Sequence, residues 1–173
     1  IDLGPHILLS EYHNMLAMLD TLGTRQRIVW ETDRLIRLRD DERTTDMHLH
    51  HLPPPLHLAP SFARVASLGW RDKLSNLPMI RLAMRADEML VRQLDQITAA
   101  EMLAREQVSE PFIKWFWATA CLTVMNVPLE RCSAGALLRV FAQLIGRAEY
   151  RIGFAASGLA ELFADSIAER LTR

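Results

Sequence analysis

The chain has 173 residues, half of them hydrophobic, and a formal net charge of −1 at neutral pH. This length suits one domain with a real core. The near-neutral charge gives no electrostatic case for nucleic acid, which binds to a basic face, so we expect no nucleic-acid partner. Cys121 and Cys132 do not form the pattern of a disulfide framework, and a reducing cytoplasm is the default expectation. The chain opens on Ile1 rather than Met, so we expect a piece of a longer protein.

The first half of the chain predicts one helix followed by a small sheet. Apolar residues at helical spacing predict a helix near 10–22, with Ser10 as a candidate N-cap and Gly23 as its stop. Three short stretches, at 27–31, 35–39 and 47–52, then favour strands. Because the polar links between them are short, we expect an antiparallel meander with one wet face.

Three consecutive prolines at 53–55 end the sheet, and the pattern then becomes helical. Pro78 is expected to kink or split one helix, and Thr98 with Glu101 forms a capping box for another. A short strand near 150–154 and an amphipathic helix after Gly158 complete the chain. The predicted fold class is α+β, a small antiparallel sheet packed with a mostly helical domain. Helices are predicted at 59–67, 70–85, 87–94, 99–106, 109–125 and 133–145.

A group of histidines stands out between the sheet and the helices. His48 and His50 would point to one face of a strand, which is a spacing that can chelate a metal. No neighbouring carboxylate or cysteine completes a ligand set, and His51 would point the other way. We therefore expect no metal site, and we interpret these residues and His57 as an exposed strand face and loop.

The helix at 109–125 is apolar on nearly all sides, and Asn126 at its end is expected to cap it. Such a helix is buried, either as plain core or as the wall of a hydrophobic ligand tunnel, and hydrophobicity does not separate the two. The chain contains no G-x-S-x-G, no phosphate loop and no G-x-G-x-x-G, so by itself it has no standard nucleotide-binding element.

Four separated stretches resemble one protein family and together span essentially the whole chain. D-L-G-P-H-I-L-L-S-E-Y at 2–12, with L-G-T at 22–24, resembles the flavin-dependent amine oxidase and phytoene desaturase superfamily. Three further stretches resemble a narrower branch: L-P-P-P-L-H-L at 52–58 followed by L-G-W-R-D-K-L at 68–74, W-x-x-x-C-L-x-x-x-N-x-P-x-x-x-x-S-A at 117–134, and G-L-A-E-L-F at 158–163. That branch is the squalene-associated FAD-dependent desaturases, which act as hydroxysqualene dehydroxylases in hopanoid-lipid pathways. Pro5 and Val127 depart from the residues usual in these relatives.

The resemblance implies an FAD enzyme whose nucleotide-binding strands lie outside this chain. Residues 1–173 would then be a substrate-binding domain fragment, with a flavin-edge segment and helix at 1–23, the sheet at 26–52 and a helical part at 56–173. The implied reaction is reductive dehydroxylation of hydroxysqualene to squalene, a long apolar isoprenoid, and the isolated fragment is expected to be inactive.

The resemblance also suggests site residues. Gly4 and His6 would lie at the flavin, with His6 either catalytic or purely structural beside the cofactor. The residues expected to line the substrate cavity or its mouth are Trp117, Cys121, Leu122, Met125 and Asn126.

Two alternatives stay open: another amine oxidase or phytoene desaturase-type flavoenzyme, and a non-enzymatic helical module that binds a lipid or a partner helix. A peripheral contact with the inner membrane surface is a further hypothesis, carried by the helices at 59–67 and 70–85, with packing onto the sheet as the alternative. Its residues would be Phe62, Val65, Leu68 and Trp70 among Arg64, Arg71 and Lys73.

Overall fold

The computed structural model describes residues 6–31, 36–40, 43–48, 50–146, 151–164 and 167–168. Helices and a small antiparallel sheet make an α+β fold, as predicted. The chain divides into two compact units. Unit 1 contains Ile1–Leu38 and Glu149–Arg173, and unit 2 contains Arg39–Ala148. No helix in the described part of the chain is long and apolar enough to cross a lipid bilayer.

Unit 1 is built on a three-stranded antiparallel sheet in the order β1-β5-β2. Its strands are β1 (Leu8–Leu9), β2 (Ile28–Trp30) and β5 (Ile152–Ala155). Gly153 lies opposite both Leu8 and Trp30 in the ladder. A β-carbon at Gly153 would lie 2.7 Å from Ile28 Cγ2, so only glycine fits this position without a shift of its neighbours.

The helix α1 (His13–Leu22) covers this sheet with its apolar side, where Leu16 and Leu19 join Leu162 in a small core. It ends as predicted, because Gly23 takes the left-handed conformation with φ of 72°. The prediction that Ser10 caps the helix is wrong. The Ser10 hydroxyl accepts from the Arg151 amide at 2.9 Å, and the Ser10 amide donates to the Arg151 carbonyl at 3.0 Å, which extends the pairing of β1 with β5.

The predicted three-stranded meander is also wrong. β2 pairs with β5, which lies more than a hundred residues further along the chain. The next two strands, β3 (Ile36–Asp40) and β4 (Arg43–Met47), form a separate two-stranded sheet.

The strand predicted at 47–52 is wrong for a local reason, because β4 ends at Met47. Beyond it the Ser61 hydroxyl accepts from the His48 amide at 2.9 Å and donates to the His48 carbonyl at 3.0 Å. One buried serine therefore occupies both backbone groups that a neighbouring strand would need.

Unit 2 is a helical layer centred on α9 (Ala134–Gly146). Three helices pack against α9: α4 (Leu77–Met84), α5 (Glu88–Leu94) and α6 (Ala99–Arg105). Pro78 falls in the first turn of α4, and Asn76 separates α4 from α3 (Trp70–Ser75). The predicted split of the helix at 70–85 is therefore confirmed. The capping box of α6 is confirmed too, since the Thr98 amide donates to Glu101 Oε2 at 2.8 Å. The remaining helices of this unit are α2 (Ala59–Ala63), α7 (Glu110–Phe112) and α8 (Ala118–Met125).

The predicted helix at 109–125 is confirmed, with one irregularity. A π-helical turn, Ile113–Trp117, joins α7 to α8 without a break. Asn126 ends the helix as expected, with φ of 56° and its amide donating to the Leu122 carbonyl at 3.1 Å. The helix predicted after Gly158 is described in part, as a π-helical turn at Ala160–Ala164, and the rest of that prediction lies outside the described residues.

Candidate functional site

The π-helical turn organises an aromatic cluster in unit 2. It places Trp115, Phe116 and Trp117 in succession, and Phe116 lies within 6.0 Å, centroid to centroid, of both neighbours. Phe62 on α2 packs against this group from one side, and Phe141 on α9 lies 4.2 Å from Trp117 on another. Extra residues in a helical turn are often found at functional sites, and here the turn brings apolar side chains together.

Trp117 is fully buried, and its only polar atom is already paired. The indole N–H donates to Asn76 Oδ1 at 2.9 Å, and Asn76 is itself buried at the junction of α3 and α4. A buried indole needs such a partner. The bond therefore fixes the start of α8 against the α3–α4 junction, and in the structure Trp117 forms part of the core cluster.

Cys121 is buried one turn further along α8. Its thiol donates to the Val127 carbonyl at 3.2 Å. Burial, together with the adjacent thiol of Cys132, raises the pKa of Cys121 to about 12. A thiol held in its protonated form is a poor nucleophile, so Cys121 can supply a wall but no nucleophilic chemistry at neutral pH.

The other three predicted substrate residues are accessible at the end of α8. Leu122 is 53% exposed, Met125 is half-buried and Asn126 is exposed. Their spacing of three and four residues places them on one face of the helix. The structure therefore divides the predicted set into two buried residues and three residues that a ligand could reach.

The predicted flavin residues lie in unit 1. His6 is exposed just before β1, and Gly4 lies outside the described residues. One exposed imidazole does not make a dinucleotide site, so the described residues do not by themselves fit FAD.

The histidine-rich segment of unit 2 is folded around Ser61. His50 Nε2 lies 3.3 Å from the Ser61 hydroxyl, and the His50 amide donates to the His57 carbonyl at 3.0 Å. Contrary to the expectation of an exposed loop, the His57 side chain is completely buried. Among the described residues, no three histidine, cysteine, aspartate or glutamate side chains come together in a way that could hold a metal ion.

Both nitrogens of the His57 ring are buried, and neither has a hydrogen-bond partner among the described residues. Burial lowers the pKa of His57, and the nearby carbonyl of Leu144 on α9 offsets this only in part. The sequence suggested neither the burial of this ring nor its lack of partners, because both depend on residues that lie far from His57 along the chain, such as Leu144 on α9.

The structure also corrects the predicted surface helices. Val65 and Leu68 are buried in the core, so they cannot contact a membrane, whereas Trp70 is 67% exposed. Leu74 and Leu77, which the prediction left out, are exposed beside it. Leu74 lies four residues after Trp70 and Leu77 three residues after Leu74, and this helical spacing was the signal that could have identified them.

Comparisons with known proteins give one similarity. No family model matches the chain. The chain is similar to a zeta-carotene desaturase of Synechocystis sp., with 22% identity over 158 residues that cover 86% of this chain and 32% of that protein. The chain therefore spans about a third of the length of the curated relative that it matches.

Proposed function

We propose that this chain is the substrate-binding part of an FAD-dependent oxidoreductase that acts on a long apolar isoprenoid. The observation that carries the proposal is the similarity to a zeta-carotene desaturase along 86% of the chain. The four sequence stretches that resemble flavin-dependent desaturases support it independently. Among reactions of this class, we propose reductive dehydroxylation of hydroxysqualene to squalene, because the resemblance at 52–58 and 117–134 is to that branch.

The residues of this chain would bind and orient the hydrocarbon and exclude water, while the flavin, when bound, would supply the redox chemistry. Leu122 and Met125 offer accessible apolar surface for that purpose, and Asn126 adds one amide at the edge. Binding would come mostly from burial of apolar area, at about 25 cal/mol per Å². Trp117 and Cys121 would form the rigid wall behind these residues, and His6 would be the polar residue nearest the flavin.

A second candidate is desaturation of a carotenoid-type hydrocarbon. It is favoured by the similarity described above, which is to a zeta-carotene desaturase. The two candidates share the cofactor and the apolar substrate, and they differ in whether the substrate carries a hydroxyl group.

Product analysis of the full-length enzyme distinguishes these candidates. The purified enzyme would be incubated without oxygen, with its flavin reduced, and with hydroxysqualene, and the lipids would be separated by chromatography. We expect squalene in amounts that rise with enzyme concentration. A matched incubation with oxidised flavin and a carotene should give no product. Desaturated carotene in the second incubation, with no squalene in the first, would replace the dehydroxylase proposal by the desaturase one.

The proposed setting is the cytoplasm, with a peripheral contact at a membrane, since a hydrocarbon of this length dissolves in lipid and not in water.

A further inference from the structure

Helices α3 and α4 carry an exposed apolar stripe, which we define as Trp70, Leu74, Leu77 and Met84. These side chains are 67%, 57%, 42% and 49% exposed, respectively. Trp70 and Leu74 lie one turn apart on α3, and Leu77 and Met84 lie two turns apart on α4, so each pair shares one side of its helix. Met79 and Ala83 on α4 and Asn76 at the junction are buried in unit 2, whereas no residue of α3 is buried. α4 is therefore amphipathic, α3 lies at the surface, and the described residues of unit 2 leave the stripe exposed on both.

The stripe lies in the most basic stretch of the chain. Between residues 64 and 85 there are five basic residues and one acidic residue, Asp72, although the whole chain has a net charge of −1. Lys73 lies over the Trp70 ring, 4.8 Å from its centroid, and its amine donates to the Ala63 carbonyl at 2.8 Å. The other four basic side chains are exposed and make no ion pair with any described residue. They are Arg64, Arg71, Arg81 and Arg85.

We propose that the stripe docks on an anionic lipid surface, with its apolar side chains in the outer part of the bilayer and the arginines at the headgroups. Helices that combine an exposed apolar stripe with flanking basic residues lie in the plane of such an interface. Tryptophan favours this boundary, because its ring is apolar and its N–H remains hydrated. The proposal rests on the proposed function for its purpose, which is access to a substrate dissolved in lipid.

Charge argues against a second copy of the chain as the occupant. In a two-fold dimer the same surface meets itself, so the arginines of one copy would face those of the other. Like charges brought together in this way disfavour association. An anionic lipid surface has the complementary charge and needs no particular shape.

Vesicle flotation with the full-length protein tests the proposal. We expect binding to vesicles of phosphatidylglycerol and phosphatidylcholine, weak binding to phosphatidylcholine alone, and release by high salt. Leu74→Ser with Leu77→Ser should weaken binding on the order of tenfold or more, since burial of the apolar side chains in the bilayer contributes to binding. Arg71→Gln with Arg81→Gln should weaken it about as much, since each basic residue near the surface is attracted to anionic headgroups.

Two matched controls separate the stripe from general surface effects. Met89→Ser removes an equally exposed apolar residue, at 67%, that lies outside the stripe, and it should bind like the wild type. Arg105→Gln with Arg131→Gln removes two exposed arginines elsewhere in unit 2, and it should also bind like the wild type.

Fluorescence gives a second readout. Brominated anionic lipids should quench the fluorescence of Trp70. Trp70→Phe should still bind vesicles but lose most of the quenching that comes from this chain, because the other three tryptophans of the chain are buried or half-buried.

Three results would overturn the docking surface. They are equal binding to charged and neutral vesicles, equal loss of binding in Met89→Ser, and a stripe variant that changes the oligomeric state while the wild type ignores vesicles. Vesicle binding does not require turnover, so the docking surface can fail while the proposed reaction succeeds, and the reverse.

Discussion

The imidazole of His57 is a local cost in the fold of unit 2. Its two ring nitrogens are buried without a partner among the described residues. A buried polar group left unpaired costs about 1–3 kcal/mol. The sequence predicted an exposed loop here, because neighbouring histidines and prolines are typical of one. The burial of this ring depends on tertiary contacts, which include the Leu144 carbonyl on α9, and such contacts cannot be read from local spacing.

His57→Leu should therefore leave stability unchanged or raise it by up to about 2 kcal/mol at neutral pH, because leucine fills a similar volume without unpaired nitrogens. The pKa of His57 is lowered in the folded protein. The unfolded chain therefore binds this proton more readily, and stability should fall as the pH drops below the ordinary value of 6.5. The variant should lose this part of the pH dependence.

The measurement is urea unfolding of the full-length protein at pH 7.5 and 5.5. His51→Leu, at an exposed histidine of the same segment, is the control, and it should keep the wild-type difference between the two pH values. If His57→Leu loses several kcal/mol of unfolding free energy at pH 7.5, the ring makes a stabilising hydrogen bond in the folded protein, contrary to its description as unpaired.

Trp117 and Leu122 lie on the same helix but should respond differently to substitution. Trp117→Phe leaves the buried Asn76 oxygen without its donor and should cost about 2–4 kcal/mol of unfolding free energy. Leu122→Ala removes an exposed side chain and should cost less than about 1 kcal/mol. Because we propose that Leu122 contacts the isoprenoid, Leu122→Ala should also raise the Michaelis constant for the isoprenoid severalfold.

Unfolding curves and steady-state kinetics of both variants check this division. Thr123→Ala, at the next exposed position of α8, is the control and should change neither quantity appreciably. An unchanged Michaelis constant in Leu122→Ala would remove Leu122 from the substrate surface.

Among the elements, three signals contained within a few residues were read correctly from the sequence, whereas the Ser10 cap and the strand at 47–52 were not. The capping box at Thr98 and Glu101, the stop at Gly23 and the split before Pro78 are all present. Strand pairing was read wrongly, because β2 finds its partner in β5 near the other end of the chain. Spacing along the chain predicts that a strand exists, but it does not predict which distant strand pairs with it.

The close packing of α5 on α9 depends on Gly135. A β-carbon there would lie 2.2 Å from the Val91 carbonyl oxygen and 2.5 Å from Asp95 Oδ1. Gly135→Ala should force α5 and α9 apart and cost about 2–3 kcal/mol, although alanine is the better helix former.

Thermal unfolding of two alanine variants measures this cost. Gly146→Ala is the control on the same helix, because a β-carbon at that position meets nothing within 4 Å. It should be neutral or slightly stabilising. Equal melting temperatures for the two variants would show that the contact between the helices adjusts freely.

At the scale of the whole molecule, average properties concealed local ones. The net charge of the whole chain is −1, yet five of its 20 basic residues lie in the 22 residues around the exposed stripe. The apolar helix at 109–125 was predicted to be buried, and this is confirmed for Phe112, Phe116, Trp117 and Cys121 but wrong for Leu122 and Val124, which are 53% exposed. Whether a buried aromatic is core or cavity wall depends on what faces it, and composition does not contain that information.

The proposed FAD-dependent reduction of hydroxysqualene is tested by the visible absorption spectrum of the purified full-length protein, followed by anaerobic reduction and addition of hydroxysqualene. We expect a flavin spectrum that is bleached by the reductant and recovers with the substrate, with one squalene formed for each flavin reoxidised. Absence of a flavin, even after reconstitution with FAD, would contradict the proposal of an FAD-dependent oxidoreductase and leave the chain as a lipid-binding or partner-binding module.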